Sequence, residues 1–184
     1  MICSLFIDFK SQTLAQVYGF VCMENIDQLM IPAARKGEME VLQELVRRGA
    51  DVNTRDEKGY TPLIIACYNN QLEAARLLLT AGADINAADY GGNTALMGVS
   101  FKGYIEIAKI LLEAGAQLDL QHGNGGTALM FASMFGRNDV LQLLLENGAN
   151  TEVKDARGQT AADLAVMQGN ETGLELLNAA LSKQ

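Results

Sequence analysis

The chain of 184 residues has no tryptophan, one histidine, two prolines and three cysteines. A lone histidine, His122, supplies neither the second ligand of a His/Cys zinc site nor a base beside a nucleophile. Cys3, Cys22 and Cys67 are odd in number and match no zinc or redox spacing, so a reducing compartment, the cytoplasm, is the expectation. Cations are also scarce. Fourteen Lys and Arg against 22 Asp and Glu leave a net charge of −8 and a pI of about 4.6. The clustered basic residues needed for nucleic acid or an anionic membrane surface are missing. Unbroken apolar runs are short. The stretch "MICSLFIDFKSQTLAQVYGFVC", residues 1–22, is interrupted by Asp8 and Lys10, well below the roughly 20 residues that span a bilayer. It carries no positive charge at its extreme start and no clean cleavage site, as a secretory signal would.

What is present is order at a fixed interval. The chain is 49% apolar and 20% charged, as a folded domain is. The stretch "GYTPLIIACYNNQLEAARLLLTAGADIN", residues 59–86, returns in altered form along the chain. Thr61, Thr94, Thr127 and Thr160 stand 33 residues apart, and so do the Gly-Ala pairs that begin at Gly49, Gly82, Gly115 and Gly148. Two independent markers with one period identify a tandem repeat. The units are about 23–55, 56–88, 89–121, 122–154 and 155–184, after a non-repeat leader at 1–22 that is expected to be dispensable or loosely docked.

In each unit the threonine predicts an N-cap, and Pro62 sits at a first helical position where its missing N–H costs nothing. A short helix follows, then a second one. In "LEAARLLLTA" the residues Leu72, Ala75, Leu78 and Leu79 share a face. Gly82 stops that helix. One such pair cannot cover its own apolar stripe, whereas stacked copies can.

The pattern "DEKGYTPLIIA" followed by "LLLTAGADIN", continued by "LVRRGADVN", resembles the ankyrin repeat over about residues 24–180. The resemblance implies an all-α solenoid of stacked antiparallel helix pairs with projecting β-turn hairpins. It implies a monomeric protein-binding scaffold or adaptor with another protein as partner, without cofactor or metal, without catalysis, and engaging neither nucleic acid nor membrane. Proline is kept only at Pro62 and is Ala95, Ala128 and Ala161 elsewhere. The usual histidine two residues later is Ile64, Met97, Met130 and Asp163.

The variable slots are where the family makes its contacts, at the hairpin tips and the exposed end of the first helix. Here they hold Tyr60, Tyr68 and Asn69, then Tyr90, Asn93, Phe101 and Lys102, then Asn124, Met134 and Phe135, and finally Arg157, Gln159, Met167 and Gln168, with Arg35 and Lys36 in the first unit. Aromatic residues, Met and Arg at such places are the makings of binding hot spots. The blander alternative has these side chains packing between neighbouring units. His122 replaces the turn acids Asp56, Asp89 and Asp155, and a weaker version of their hydrogen bonding is its expected role. Cys67 falls where other units have Ser100, Ser133 and Val166, a small packing position. The glycine-rich "GGNTALMG" and "GNGGTALM" lack the Gly-Lys-Ser/Thr ending of a phosphate loop. Two rival functions stand beside protein binding. One is hydroxylation of Asn53 and Asn86 in a eukaryotic source, which the resemblance suggests. The other is an enzyme whose chemistry no visible constellation supports.

Overall fold

The computed structural model describes residues 26–182, so expectations for the leader lie outside the described residues. A single 3-10 turn, Ile26–Leu29, opens the first unit. Among the described residues ten α-helices then form five pairs: α1 (Met30–Lys36) with α2 (Met39–Arg47), α3 (Pro62–Tyr68) with α4 (Leu72–Thr80), α5 (Ala95–Lys102) with α6 (Ile105–Glu113), α7 (Ala128–Met134) with α8 (Asn138–Glu146), and α9 (Ala161–Gln168) with α10 (Glu171–Leu181). Among the described residues there is no strand, only an isolated bridge between Ala88 and Thr94 at a hairpin. None of the described helices is long and apolar enough to cross a membrane.

The local rules repeat with the sequence. Thr61, Thr94, Thr127 and Thr160 have extended backbones, and their side chains accept the N–H of Ile64, Met97, Met130 and Asp163. Asp163 answers by accepting the Thr160 N–H at 2.8 Å, which closes a capping box. The first unit has no such threonine, and Leu29 offers no side-chain cap. Second helices stop at Gly49, Gly82, Gly115 and Gly148, with φ of 81, 90, 89 and 87°. First helices end just before Gly37, Asn70, Gly103, Gly136 and Gly169, all left-handed. Asn70, at φ 59°, holds without glycine a conformation that costs most residues about 1–2 kcal/mol.

Packing follows the same interval. Leu45, Leu78, Leu111, Leu144 and Leu177 are almost wholly buried, and so are Ala33, Ala66, Val99, Ala132 and Ala165. Each buried leucine contributes about 1.5–3 kcal/mol relative to exposure, but only when a neighbouring unit covers it. Small residues on the first helices let successive backbones approach closely. In α4 the buried set is Ala74, Ala75 and Leu78, whereas Leu72 and Leu79 are only partly covered. The face expected from the apolar pattern is therefore rotated slightly toward Ala74.

Units are joined by backbone-directed bonds as well as by the core. Asn53 Oδ1 accepts the Asp84 N–H at 2.7 Å, Asn86 Oδ1 accepts that of Gln117 at 2.9 Å, and Asp119 Oδ1 accepts that of Asn150 at 2.9 Å. At the hairpin tips the N–H groups of Tyr90, Gly123 and Ala156 donate to the carbonyls of Lys58, Gly91 and Asn124, at 3.1, 2.8 and 2.9 Å. Asn53 and Asn86 thus stand in the joints between units.

Candidate functional site

The first helices and the hairpins wall a groove of about 950 Å³, floored by Ile31, Ile64, Ile65 and Met97 and flanked by Tyr60, Tyr68 and Phe101. Its position follows from the repeat. The floor residues are buried members of the core, whereas of the flanking residues Tyr60 and Phe101 are partly buried and Tyr68 is exposed.

Three rings form a continuous row along the ends of the first helices. Tyr68 and Phe101 are equivalent residues of α3 and α5, nearly parallel at 4° with centroids 6.3 Å apart. Phe101 meets Phe135 edge to face, at 80° and 4.5 Å. Such pairs contribute about 0.5–1.5 kcal/mol beyond their buried area. Tyr68 and Phe135 stay 43% and 41% exposed, whereas Phe101 between them is half-buried. The Lys102 ammonium lies 4.4 Å from the Tyr68 centroid and 5.6 Å from that of Phe101, a cation–π arrangement. A Cβ at Gly98 would meet the Tyr68 ring at 3.5 Å, an ordinary van der Waals contact.

The other expected contact residues divide into three groups. Tyr90 on a hairpin tip and Met167 on α9 are 74% and 60% exposed, and Arg157 is exposed as well. Tyr60 and Met134 are partly buried against the core. Asn69 and Asn93 use their amides internally. Asn69 donates to the Ile65 carbonyl at 2.8 Å, and Asn93 donates to both Asp89 carboxylate oxygens at 3.1 and 3.0 Å. A second, smaller hollow of about 310 Å³ lies farther along, among His122, Met130, Met134, Arg157 and Gln159.

The turn acids are committed to backbone. Asp56 Oδ1 accepts the N–H of Lys58 and Tyr60, Asp89 Oδ1 those of Gly91 and Asn93, and Asp155 Oδ1 those of Arg157 and Gln159. His122 Nδ1 accepts only the Asn124 N–H, at 3.0 Å. It fills the acid's place with half the bonds, and its ring rests 5.3 Å from Phe131. Cys67 is buried in α3, and that burial pushes its thiol up to about 12. It is an inert packing residue, as its small neighbours in the repeat suggested.

Charge is segregated between the two helix layers. The first helices carry Arg35, Lys36 and Lys102 against one acid, Asp163. The second helices carry nine acids against three bases, Arg47, Arg76 and Lys109. This was legible from the sequence once each helix was assigned to its layer, but bulk composition concealed it.

A family model described as ankyrin repeats in three copies matches residues 29–122 and again 99–183. Two ankyrin repeat proteins of Rickettsia felis are similar to shorter stretches. One is 38% identical over 53 residues, which is 29% of this chain and 80% of that protein. The other is 42% identical over 43 residues, 23% of this chain and 68% of that protein. With the period of its sequence, its five helix pairs and a family match over most of its length, the chain belongs to the ankyrin repeat family.

Proposed function

We propose that this chain is a non-enzymatic, monomeric adaptor of the cytoplasm that binds one partner protein along its groove and hairpin tips. Ankyrin repeats are in general protein-interaction modules, and one observation carries the reading to a particular face. The Tyr68, Phe101 and Phe135 row is exposed at both ends, and its Tyr68 and Phe101 flank a groove, although the repeat's packing slots are already filled by Leu, Ile and Ala. Contiguous exposed rings of this kind mark interaction sites. Tyr90, Met167 and Arg157 extend the surface along the tips and the last unit.

The test is comparative capture. Lysate of the native organism is passed over the intact chain and over its Tyr68→Ala and Phe101→Ala variants, with melting temperatures measured in parallel. The expected result is a protein retained by the intact chain and lost from both variants while they remain folded. A hot-spot ring is worth about 2 kcal/mol or more of binding. Equal retention by all three would place the partner on another face, and unfolding of both variants would make the rings inter-unit core.

A further inference from the structure

We propose that Asn124 is a site of spontaneous covalent modification, where the side-chain amide closes on the Gly125 nitrogen and the isoaspartate so formed breaks the hairpin joint to the fifth unit. An asparagine followed by glycine is suited to this, because glycine has no side chain to hinder the approach of its nitrogen to the amide carbon. The chain has two such pairs, Asn124-Gly125 and Asn147-Gly148. The fold treats them differently.

Asn147 caps the end of α8, and its amide donates to the Leu143 carbonyl at 2.8 Å. That bond holds the side chain along the helix and must be given up before a ring can close. Asn124 stands exposed at a hairpin tip, and its side-chain amide makes no hydrogen bond among the described residues. The matching places in the other hairpins hold Lys58, Gly91 and Arg157. The attacking Gly125 N–H is engaged with the His122 carbonyl at 2.7 Å. It is released more readily here than in the other hairpins, where an aspartate such as Asp56 accepts two backbone N–H groups and His122 accepts one. Local opening is drawn from such weakly held parts of a fold.

When the Gly125 nitrogen bonds to Asn124 Cγ, Nδ2 leaves as ammonia and a cyclic imide remains. Water then opens the imide, with no change of oxidation state. Cleavage at Cγ gives aspartate, and cleavage at the main-chain carbonyl gives isoaspartate. In isoaspartate the main chain runs through Cβ and Cγ and is longer by one atom, while the old carbonyl becomes a free carboxylate. That carbonyl is the acceptor of the Ala156 N–H at 2.9 Å. The tip has no slack for the extra atom, since a Cβ built at Gly125 would lie 3.0 Å from the Ala156 nitrogen and from Asp155 Cα. The product therefore loosens the fifth unit, whose helices α9 and α10 stack on α7 and α8.

Ageing of the full chain at mildly alkaline pH tests this, read by peptide mapping with mass spectrometry and by methyl incorporation from an isoaspartate-specific carboxyl methyltransferase. The folded chain is compared with the same chain unfolded in urea and with folded Asn124→Gln and Asn147→Gln variants. In urea the two pairs should convert alike. In the folded chain Asn124 should convert at least about fivefold faster than Asn147, the factor that one intramolecular hydrogen bond represents. Asn124→Gln should remove most of the methyl incorporation and Asn147→Gln little of it. Amide hydrogen exchange of the aged chain should be faster in α9 and α10 and unchanged in α1 to α4. Asn124 left intact in the folded chain, or the two pairs converting there in the ratio seen in urea, would overturn the site. Isoaspartate at position 124 with unchanged exchange in α9 and α10 would overturn the broken joint.

Discussion

Replacing Gly92 with alanine tests how far the hairpin tips hold the stack together. Gly92 has φ +85°, and a Cβ there would lie 2.9 Å from His122 Cα and 3.0 Å from the Gly123 nitrogen. Gly115, in the same unit, has φ +89° and nothing within 4 Å of its Cβ position. Both substitutions carry the left-handed penalty, about 1–2 kcal/mol. Only Gly92→Ala also drives a methyl into the backbone of the next unit. That backbone must retreat, and the 2.8 Å bond from the Gly123 N–H to the Gly91 carbonyl is stretched or broken. A lost hydrogen bond costs about 1 kcal/mol, and overpacking against backbone about 1–3 kcal/mol. Gly92→Ala should therefore be about 2–4 kcal/mol worse than Gly115→Ala. Urea denaturation followed by circular dichroism measures both, and an unchanged slope would show that stability alone has moved. Equal midpoints for the two variants would refute the reasoning, since the close approach at the tip would then contribute nothing.

Four further outcomes follow from the structure. Ala95→Pro should stabilise by about 0.4–1 kcal/mol, because Thr94 before it is extended (φ −90°, ψ 168°), much as Thr61 is before Pro62; a lowered thermal midpoint would show that the two helix starts differ. Glu44 is held down to about 2 by its hydrogen bonds to Arg47 and Arg48, at 2.7 and 2.6 Å. A depressed carboxyl stabilises above its unfolded value and loses that effect as pH falls through the folded one, so Glu44→Gln should cost about 0.5–1 kcal/mol at neutral pH, as for a largely solvent-screened pair, and progressively less as the pH is lowered from the ordinary carboxylate range through about 2; a pH-independent deficit in chemical denaturation would contradict this. In a background with Cys3 and Cys22 changed to Ser, Cys67 should react with a thiol reagent only at the rate of unfolding, because its thiol is buried and raised to about 12; rapid labelling of the folded chain would refute it. Asn53→Ala removes the acceptor of the Asp84 N–H and should cost about 0.5–1.5 kcal/mol by thermal melting; a neutral effect would show that this joint is carried by its neighbours.

Much of the architecture was legible because local chemistry and packing have the same period. Threonine caps, glycine stops and buried leucines are set by each unit separately, and the strict interval exposes them. What escaped the sequence depends on relations between units. Phe135 aligns with Lys102 rather than with Phe101, yet its ring meets Phe101, while Met134, which does align, packs partly against the core. That choice is made where α7 ends, and no residue type announces it. Asn69 and Asn93 looked available because amides are adaptable, but each has a carbonyl or carboxylate within its own turn. Asn70 stands where the other units have glycine, and asparagine's tolerance of the left-handed region is what conceals the substitution.

The joints between units have a consequence for how such a chain can change in length. Each joint is made by the same kinds of group at the same offset, so recombination that excises residues 89–121 would bring matching ends together. Lys58 would then receive the N–H of Gly123 in place of Tyr90, and Asn86 that of Asn150 in place of Gln117. The shortened protein would reseal along its whole height. What would disappear is Phe101, the middle ring of the row, together with Lys102 above it. On the proposed binding face, recognition would therefore be rewritten by whole-unit exchange, at a single genetic step, while the fold is inherited unchanged.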